Sequence, residues 1–219
     1  MLGPTIDELV LADEPDRWSA LGFTVSDRHL QLGAVRLEFT APGPERVRGI
    51  VSWSLRGLTS TELDGLPTKP SERPLPAHAP EHPNGVLAID HVVAITPAFD
   101  RSVGALRAAG LDLRRVREEP TPTGAPRQAF FRLGEEILEL VAEPEEVIAR
   151  AGGADRPARF WGLALGVSDL ERTVELLGDN AGPIRAAVQP GRMIATVRRS
   201  AGVAIPLALM SIRERPAES

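Results

Sequence analysis

The chain contains no cysteine, which rules out a disulfide framework, a thiolate nucleophile and a thiolate metal ligand. No apolar run approaches the roughly 18 residues that a membrane-spanning helix needs. No basic block is present, and the formal net charge of the 219 residues is -5. That argues against a nucleic-acid footprint. The stretch from Met1 to Glu8 lacks a basic segment and an apolar core, so no secretory signal is read there and a cytoplasmic location is the default expectation. No glycine loop cradles phosphate: Ala151-Gly152-Gly153-Ala154 reads as a plain turn. Ser102-Val103-Gly104 lacks the strand-to-helix context of a nucleophile elbow. His78 and His82 sit four apart in a proline-rich stretch, a weak metal signal. What remains is ordinary globular composition, 42% hydrophobic and 25% charged, enough for one or two cores.

What is present is a repeat, and a fixed internal period bears on the whole fold. Ile6-Asp7-Glu8-Leu9-Val10 matches Ile89-Asp90-His91-Val92-Val93. Each is followed by a short amphipathic helix ending in glycine, at Leu21-Gly22-Phe23 and Ala109-Gly110-Leu111. Each then closes on a similar strand, Leu32 to Phe39 and Leu133 to Leu140. A diverged third copy opens at Phe160-Trp161-Gly162-Leu163-Ala164 and closes at Gly202 to Leu207. The unit reads strand, helix, then strands.

The second module is the clearest. Val86 to Ile95 is a β-branched run bounded by turn residues, which predicts a buried strand. Thr96-Pro97 is a helix start. Phe99, Val103 and Leu106 share one helical face that Gly110 ends. A loop spans Pro120 to Pro126, and a hairpin turns at Gly134. In the third module Ser168 and Glu171 read as a capping box, followed by Leu170, Val174 and Leu177 at the same helical spacing. Gly49 to Leu58 resembles a module's opening strand, but no complete module follows it. Six prolines between Pro67 and Gly85 predict an extended linker. The expected division is a half-domain with an extra strand over 1–66, a linker over 67–85, and a two-module domain over 86–219.

A tandem β-α-β-β-β unit with His91 in its first strand and Glu139 in its last resembles the vicinal oxygen chelate superfamily. That group includes glyoxalase I, bleomycin-resistance proteins, methylmalonyl-CoA epimerase and extradiol dioxygenases. The resemblance implies an α+β fold, with tandem βαβββ modules forming curved mixed β-sheets and helices on the outer face. It further implies a cleft between two modules, each giving a first-strand residue and a last-strand carboxylate to a divalent metal ion (Zn, Ni, Fe or Mn). On this chain the second module gives His91 and Glu139, the first gives Glu8 and Glu38, and the third gives only Gly162 and Leu207.

Two geometries stay open. If the second and third modules pair, the cleft joins His91 and Glu139 to an apolar wall of Gly162, Ala164, Ile205, Leu207 and Leu209. Two protein ligands are few for zinc, and such a cleft reads as a small-molecule pocket. If the first and second modules pair, His91, Glu139, Glu8 and Glu38 gather as metal ligands, with Glu139 able to move a proton. Strand parity puts Ile89, His91, Val93 and Ile95 on one face, and Trp161 with Leu163 on the helix side. Parity also places Glu8 between Ile6 and Val10. Glu139 lies between Ile137 and Val141, so its charge needs a metal, a raised pKa or a partner such as Arg127 or Arg132. Glu38 shares a polar strand face with Arg36 and Thr40 and reads as a solvated or arginine-paired residue. The expected function is a cleft for a small-molecule ligand, used by a metal-dependent lyase or isomerase on a small oxygenated substrate. The alternatives are a metal-free drug-binding protein of the bleomycin-resistance type and a degenerate assembly module, with a homodimer as an option and neither nucleic acid nor membrane as partner.

Overall fold

The computed structural model describes residues 3–41, 48–121 and 124–212, so residues 122–123 of the expected loop lie outside the described residues. The first module runs β1 (Thr5–Ala12), α1 (Pro15–Ala20), β2 (His29–Leu32) and β3 (Val35–Thr40). Two more strands follow, β4 (Gly49–Arg56) and β5 (Thr68–Pro70). The second module is β6 (Val86–Thr96), α2 (Phe99–Ala108), β7 (Asp112–Arg117), β8 (Gln128–Leu133) and β9 (Glu136–Ala142). After α3 (Glu145–Arg150) the third is β10 (Arg159–Val167), α4 (Leu170–Leu177), β11 (Arg185–Ala186), β12 (Met193–Thr196) and β13 (Leu207–Ser211).

The helices form where apolar spacing and end signals agree. α4 buries Leu170, Thr173 and Leu177 on one face. Its cap is Asp169 rather than Ser168: the Asp169 carboxylate accepts the Arg172 amide at 3.0 Å, which satisfies an orphan N–H of the first turn. Gly178 ends it at φ 52, as Gly110 at φ 91 follows α2. α2 buries Phe99, Ser102 and Leu106.

The strands form two mixed sheets. The larger has the order β11-β12-β13-β10-β6-β9-β8-β7. In each of its modules the first strand runs parallel to the last, β6 with β9 and β10 with β13. The two first strands meet antiparallel at the centre. The smaller sheet, β2-β3-β1-β4-β5, repeats that centre. β1 runs parallel to β3, antiparallel to β4, and β4 runs parallel to β5. The extra strand at 49–56 thus takes toward β1 the place that β10 takes toward β6.

One apolar cluster draws on both sheets, including Trp18, Phe39 and Trp53 from the first and Val92, Leu138 and Leu165 from the second. Trp53 stands edge-on to Phe160 with ring centroids 5.1 Å apart, a favoured aromatic geometry. Its indole N–H donates to Thr68 Oγ1 at 2.7 Å. The proline-rich stretch is tied down at its far end. Thr24 N–H donates to His82 Nδ1 at 3.0 Å, and His82 Nε2 meets the Gln31 carbonyl at 2.9 Å. Asn84 donates to the Leu21 carbonyl at 2.9 Å. Residues 72–81 between these anchors are exposed.

Glu136 opens β9 with its side chain buried. Burial, helped by neighbouring Glu135 and opposed by a backbone hydrogen bond, Arg56 and Arg132, pushes its carboxyl from 4.5 up to about 7. The folded protein therefore keeps a proton that the unfolded chain releases at lower pH, and stability falls as pH rises through that window. The advantage of Glu136→Gln over the parent should grow by up to about 3 kcal/mol from pH ~4 to pH ~8. Urea unfolding at the two pH values measures this, and a constant difference between the proteins would contradict it.

Candidate functional site

The second and third modules share a cavity of about 630 Å³. Strand β6 supplies His91, Val93 and Ile95; β9 supplies Glu139 and Val141; β8 supplies Gln128. Facing them, the third module supplies Ala164, Leu207 and Ala208 with Ile194 and Thr196. His91 and Glu139 come together as the sequence predicts, with Nε2 3.2 Å from Oε2. The partner of Glu139 is neither Arg127, which binds Glu118 and Asp100, nor Arg132, which binds the Gly134 carbonyl. Its partners are His91 and Gln128, whose amide N–H donates to Oε1.

Behind His91 stands Asp90, accepting from Nδ1 at 2.9 Å. Arg192 meets the other Asp90 oxygen at 2.5 Å, and is itself buried and hydrogen-bonded to the Ser211 carbonyl at 2.8 Å. Burial works against the Asp90 charge, but the hydrogen bonds from His91 and Arg192 outweigh it and hold the carboxyl at about 2. Asp90 therefore stays ionised and directs the Nδ1–H, leaving Nε2 toward Glu139. Burial pushes the Glu139 carboxyl above its ordinary value, against the opposing pull of His91 and Gln128. The line Arg192–Asp90–His91–Glu139–Gln128 crosses three adjacent strands and the third module.

Two neighbours on a regular strand point to opposite faces, so Asp90 needs a reason to reach His91. The reason is a β-bulge: β10 residues Ala164 and Leu165 pair with His91 and Ile89, leaving Asp90 unpaired in the ladder. Such an extra residue re-aims side chains. Beyond the bulge Ile89 faces the core with Val92 and Ala94, not the cleft with His91 as strict alternation predicts.

A second bulge corrects the reading of β10. Phe160 pairs with Ala94 and Gly162 with Val93, so Trp161 is the extra residue. Its indole lines the cavity and is 48% exposed, whereas Leu163 joins the core. Trp161→Ala should therefore cost under about 1 kcal/mol, not the 3–5 of a buried aromatic. Chemical denaturation reads the difference, and a loss above 3 would contradict the exposed placement. Gly162 leaves room for backbone rather than ligand: a Cβ there would lie 2.5 Å from the Pro206 carbonyl oxygen. Leu207 reaches the cavity wall but its side chain joins the core, as do Leu209 and Ile205. By ladder register, Ala208 opposite Ala164 matches Glu139 opposite Val93.

Glu8 and Glu38 lie apart from this cavity, on the smaller sheet. A bulge at Asp7 separates the pairs Ile6–Leu55 and Glu8–Ser54, which turns Glu8 away from the side of Ile6. Arg36 lies beside both carboxylates, 3.7 Å from Glu8 and 2.6 Å from Glu38. The proline-rich segment covers this face: Arg73 reaches Glu8 at 3.1 Å and Ser71 donates to Asp7 at 2.6 Å. Pro74, Leu75 and Pro76 enclose a small pocket there with Asp7, Arg36 and Arg56. The four-ligand metal set His91, Glu139, Glu8 and Glu38 is therefore not assembled. Among the described residues no group of three His, Cys, Asp or Glu side chains is placed to hold a metal, and no helix is long and apolar enough to cross a membrane.

No protein-family model matches the sequence, and no curated protein does. Solved structures do. A xylose isomerase-like TIM barrel/4-hydroxyphenylpyruvate dioxygenase fusion protein matches all of this chain and 50% of its own at TM-score 0.64 and 14% identity. This chain thus spans half the length of that protein. A methylmalonyl-CoA epimerase from Mycobacterium tuberculosis matches 59% of this chain and 90% of its own at TM-score 0.47 and 17% identity. A Streptomyces coelicolor methylmalonyl-CoA epimerase matches 60% and 99% at 0.47 and 16%. At such identities the likeness is one of fold, carried by the first match and the module topology. The chain has the vicinal oxygen chelate, or glyoxalase-like, fold.

Proposed function

We propose that the cleft binds a small oxygenated molecule and moves a proton at a carbon beside its carbonyl, the chemistry of an isomerase or lyase. One observation carries this: the Asp90–His91–Glu139 line opens into a largely apolar cavity. A carboxylate and an imidazole in contact, with a fixed second carboxylate behind, make a general acid–base pair. Glu139 takes the proton from carbon and His91 Nε2 receives or returns it. Asp90 keeps the ring oriented, and the apolar walls exclude water from the proton in transit.

The fold family implies a divalent metal. The donors that would hold one are His91 Nε2, a Glu139 oxygen and Gln128 Oε1, a buried oxygen with no hydrogen-bond partner. Three donors from one wall match the protein share of an open catalytic site. When bound, the ion would polarise the substrate oxygen as a Lewis acid. Among the described residues the wall across the cleft brings Thr196, Arg159 and Arg185 as polar side chains and no carboxylate or imidazole, which favours a second reading, a metal-free small-molecule binder.

The test is solvent-deuterium incorporation, followed by NMR, into a panel of small 2-oxo acids, α-hydroxyketones and thioesters. Exchange at the carbon beside the carbonyl supports proton transfer, and saturable binding without exchange supports the binder. A parallel divalent-metal thermal-shift titration uses His91→Ala and Glu139→Gln. A shift that survives both substitutions removes this pair as the metal site.

A further inference from the structure

The charged groups around the cavity are not all paired. Five ionisable side chains line it: His91, Glu139, Glu143, Arg159 and Arg185. His91 and Glu139 face each other at 3.2 Å. Glu143, nearly fully buried, is met by Arg156 at 2.5 Å and by Arg159 at 3.5 Å. Arg185, exposed on β11, has neither a hydrogen-bond nor an ion-pair partner among the described residues. One guanidinium is therefore left without a partner among the described residues, on the wall opposite the acid–base pair. A planar guanidinium that is not already engaged presents a fork matched to a carboxylate, and such charge-assisted pairs are the strong ones.

Apart from Thr121, Gln128 and Thr196, the rest of the cavity is largely apolar. Val93, Ile95 and Val141 form one side and Ile194 and Ala208 the other, with the Trp161 indole turned in by its bulge. Such a volume suits a ligand of drug size. We propose that the cleft takes an organic acid whose carboxylate pairs with Arg185 and whose apolar body lies against Trp161 and Ile194. This rests on the cleft being the small-molecule site and names the class of molecule it receives. An amine of the same shape would meet the Arg185 charge unfavourably, and a neutral alcohol would leave it unpaired.

Tryptophan provides the readout. Of the three tryptophans, Trp18 and Trp53 are 0% and 1% exposed, so a ligand in the cavity changes the emission of Trp161 alone. The probes are 4-phenylbutyrate and 4-phenylbutanol, which share a body and differ in the head group. Both are titrated calorimetrically and by fluorescence into chelator-treated protein, so that a metal cannot capture the carboxylate. The acid should bind the parent at least about tenfold tighter than the alcohol. Arg185→Gln should bring the two within about twofold by weakening the acid only, and Arg185→Lys should keep part of the preference. Arg159→Gln should leave it intact. The proposal is overturned if the alcohol binds the parent as well as the acid does, if the preference survives Arg185→Gln, or if neither probe binds saturably. Neither probe offers an activated C–H bond, so these outcomes are independent of whether the Glu139–His91 pair transfers protons.

Discussion

Solvent-deuterium incorporation should fall about 10²- to 10⁴-fold in Glu139→Gln, the contribution of a positioned general base. The amide keeps the size of the side chain and its contact with Gln128 but cannot take a proton. Its melting temperature should not drop, because burial already penalises the Glu139 charge. Asp90→Asn should act differently. Asp90 does not line the cavity and works through His91, so the loss should be about 10- to 100-fold, typical of a residue that orients another. Nitrogen NMR of the His91 ring separates the two roles: Asp90→Asn should change which ring nitrogen carries the proton, and an unchanged tautomer would leave Asp90 without a positioning role. Exchange that proceeds undiminished in Glu139→Gln would refute the proton-transfer reading.

Trp53→Ala should cost about 3–5 kcal/mol, the usual loss for a fully buried aromatic. The indole is 1% exposed. It meets Phe160 of the larger sheet and holds Thr68 by a hydrogen bond. Removing it opens a cavity where the two sheets share a core, so both should lose stability together. For a chain of this length the melting temperature should drop by roughly 6–20 °C. The emission of Trp161, which sits in the larger sheet, follows that sheet during unfolding. Its transition should move to lower denaturant although the mutation is in the smaller one. A transition at Trp161 that stays in place would mean that the sheets unfold independently.

The architecture was legible because the repeat is local. Each module writes its own strand, helix face and terminal glycine within a short window, so module order follows from spacing, while the His91–Glu139 pairing came from the family resemblance that this order carries. The departures share one cause. Strict alternation put Trp161 on the helix side, Ile89 in the cleft and Glu8 beside Ile6, and in each case a single extra residue reversed the parity. A bulge has no sequence period of its own, and a slip of one residue exchanges the two faces. The same device hid Asp90, which alternation turns away from its neighbour. Arg192 joins the site only through the packing of the third module on β6. Gln128 carried a usable signal. Folding the hairpin about Gly134 sets Phe130 opposite Glu139, which leaves Gln128 one diagonal step away on the same face.

The smaller sheet carries the mould of the larger one, covered by a segment of the chain itself. By ladder register Glu8 stands where His91 stands, Glu38 where Glu139 stands, and both Asp7 and Asp90 sit in bulges. In place of a guest, that mould receives the chain's own proline-rich segment: Arg73 reaches in to Glu8, and Pro74 to Pro76 line the small pocket that remains. A covering peptide that is covalently attached is never diluted away, so it competes at every concentration with any other molecule for that copy. The molecule thus keeps one mould for itself and offers the other to the solution. Arg73, a guanidinium brought by the occupant to carboxylates in the wall, is the mirror image of an acid brought to Arg185.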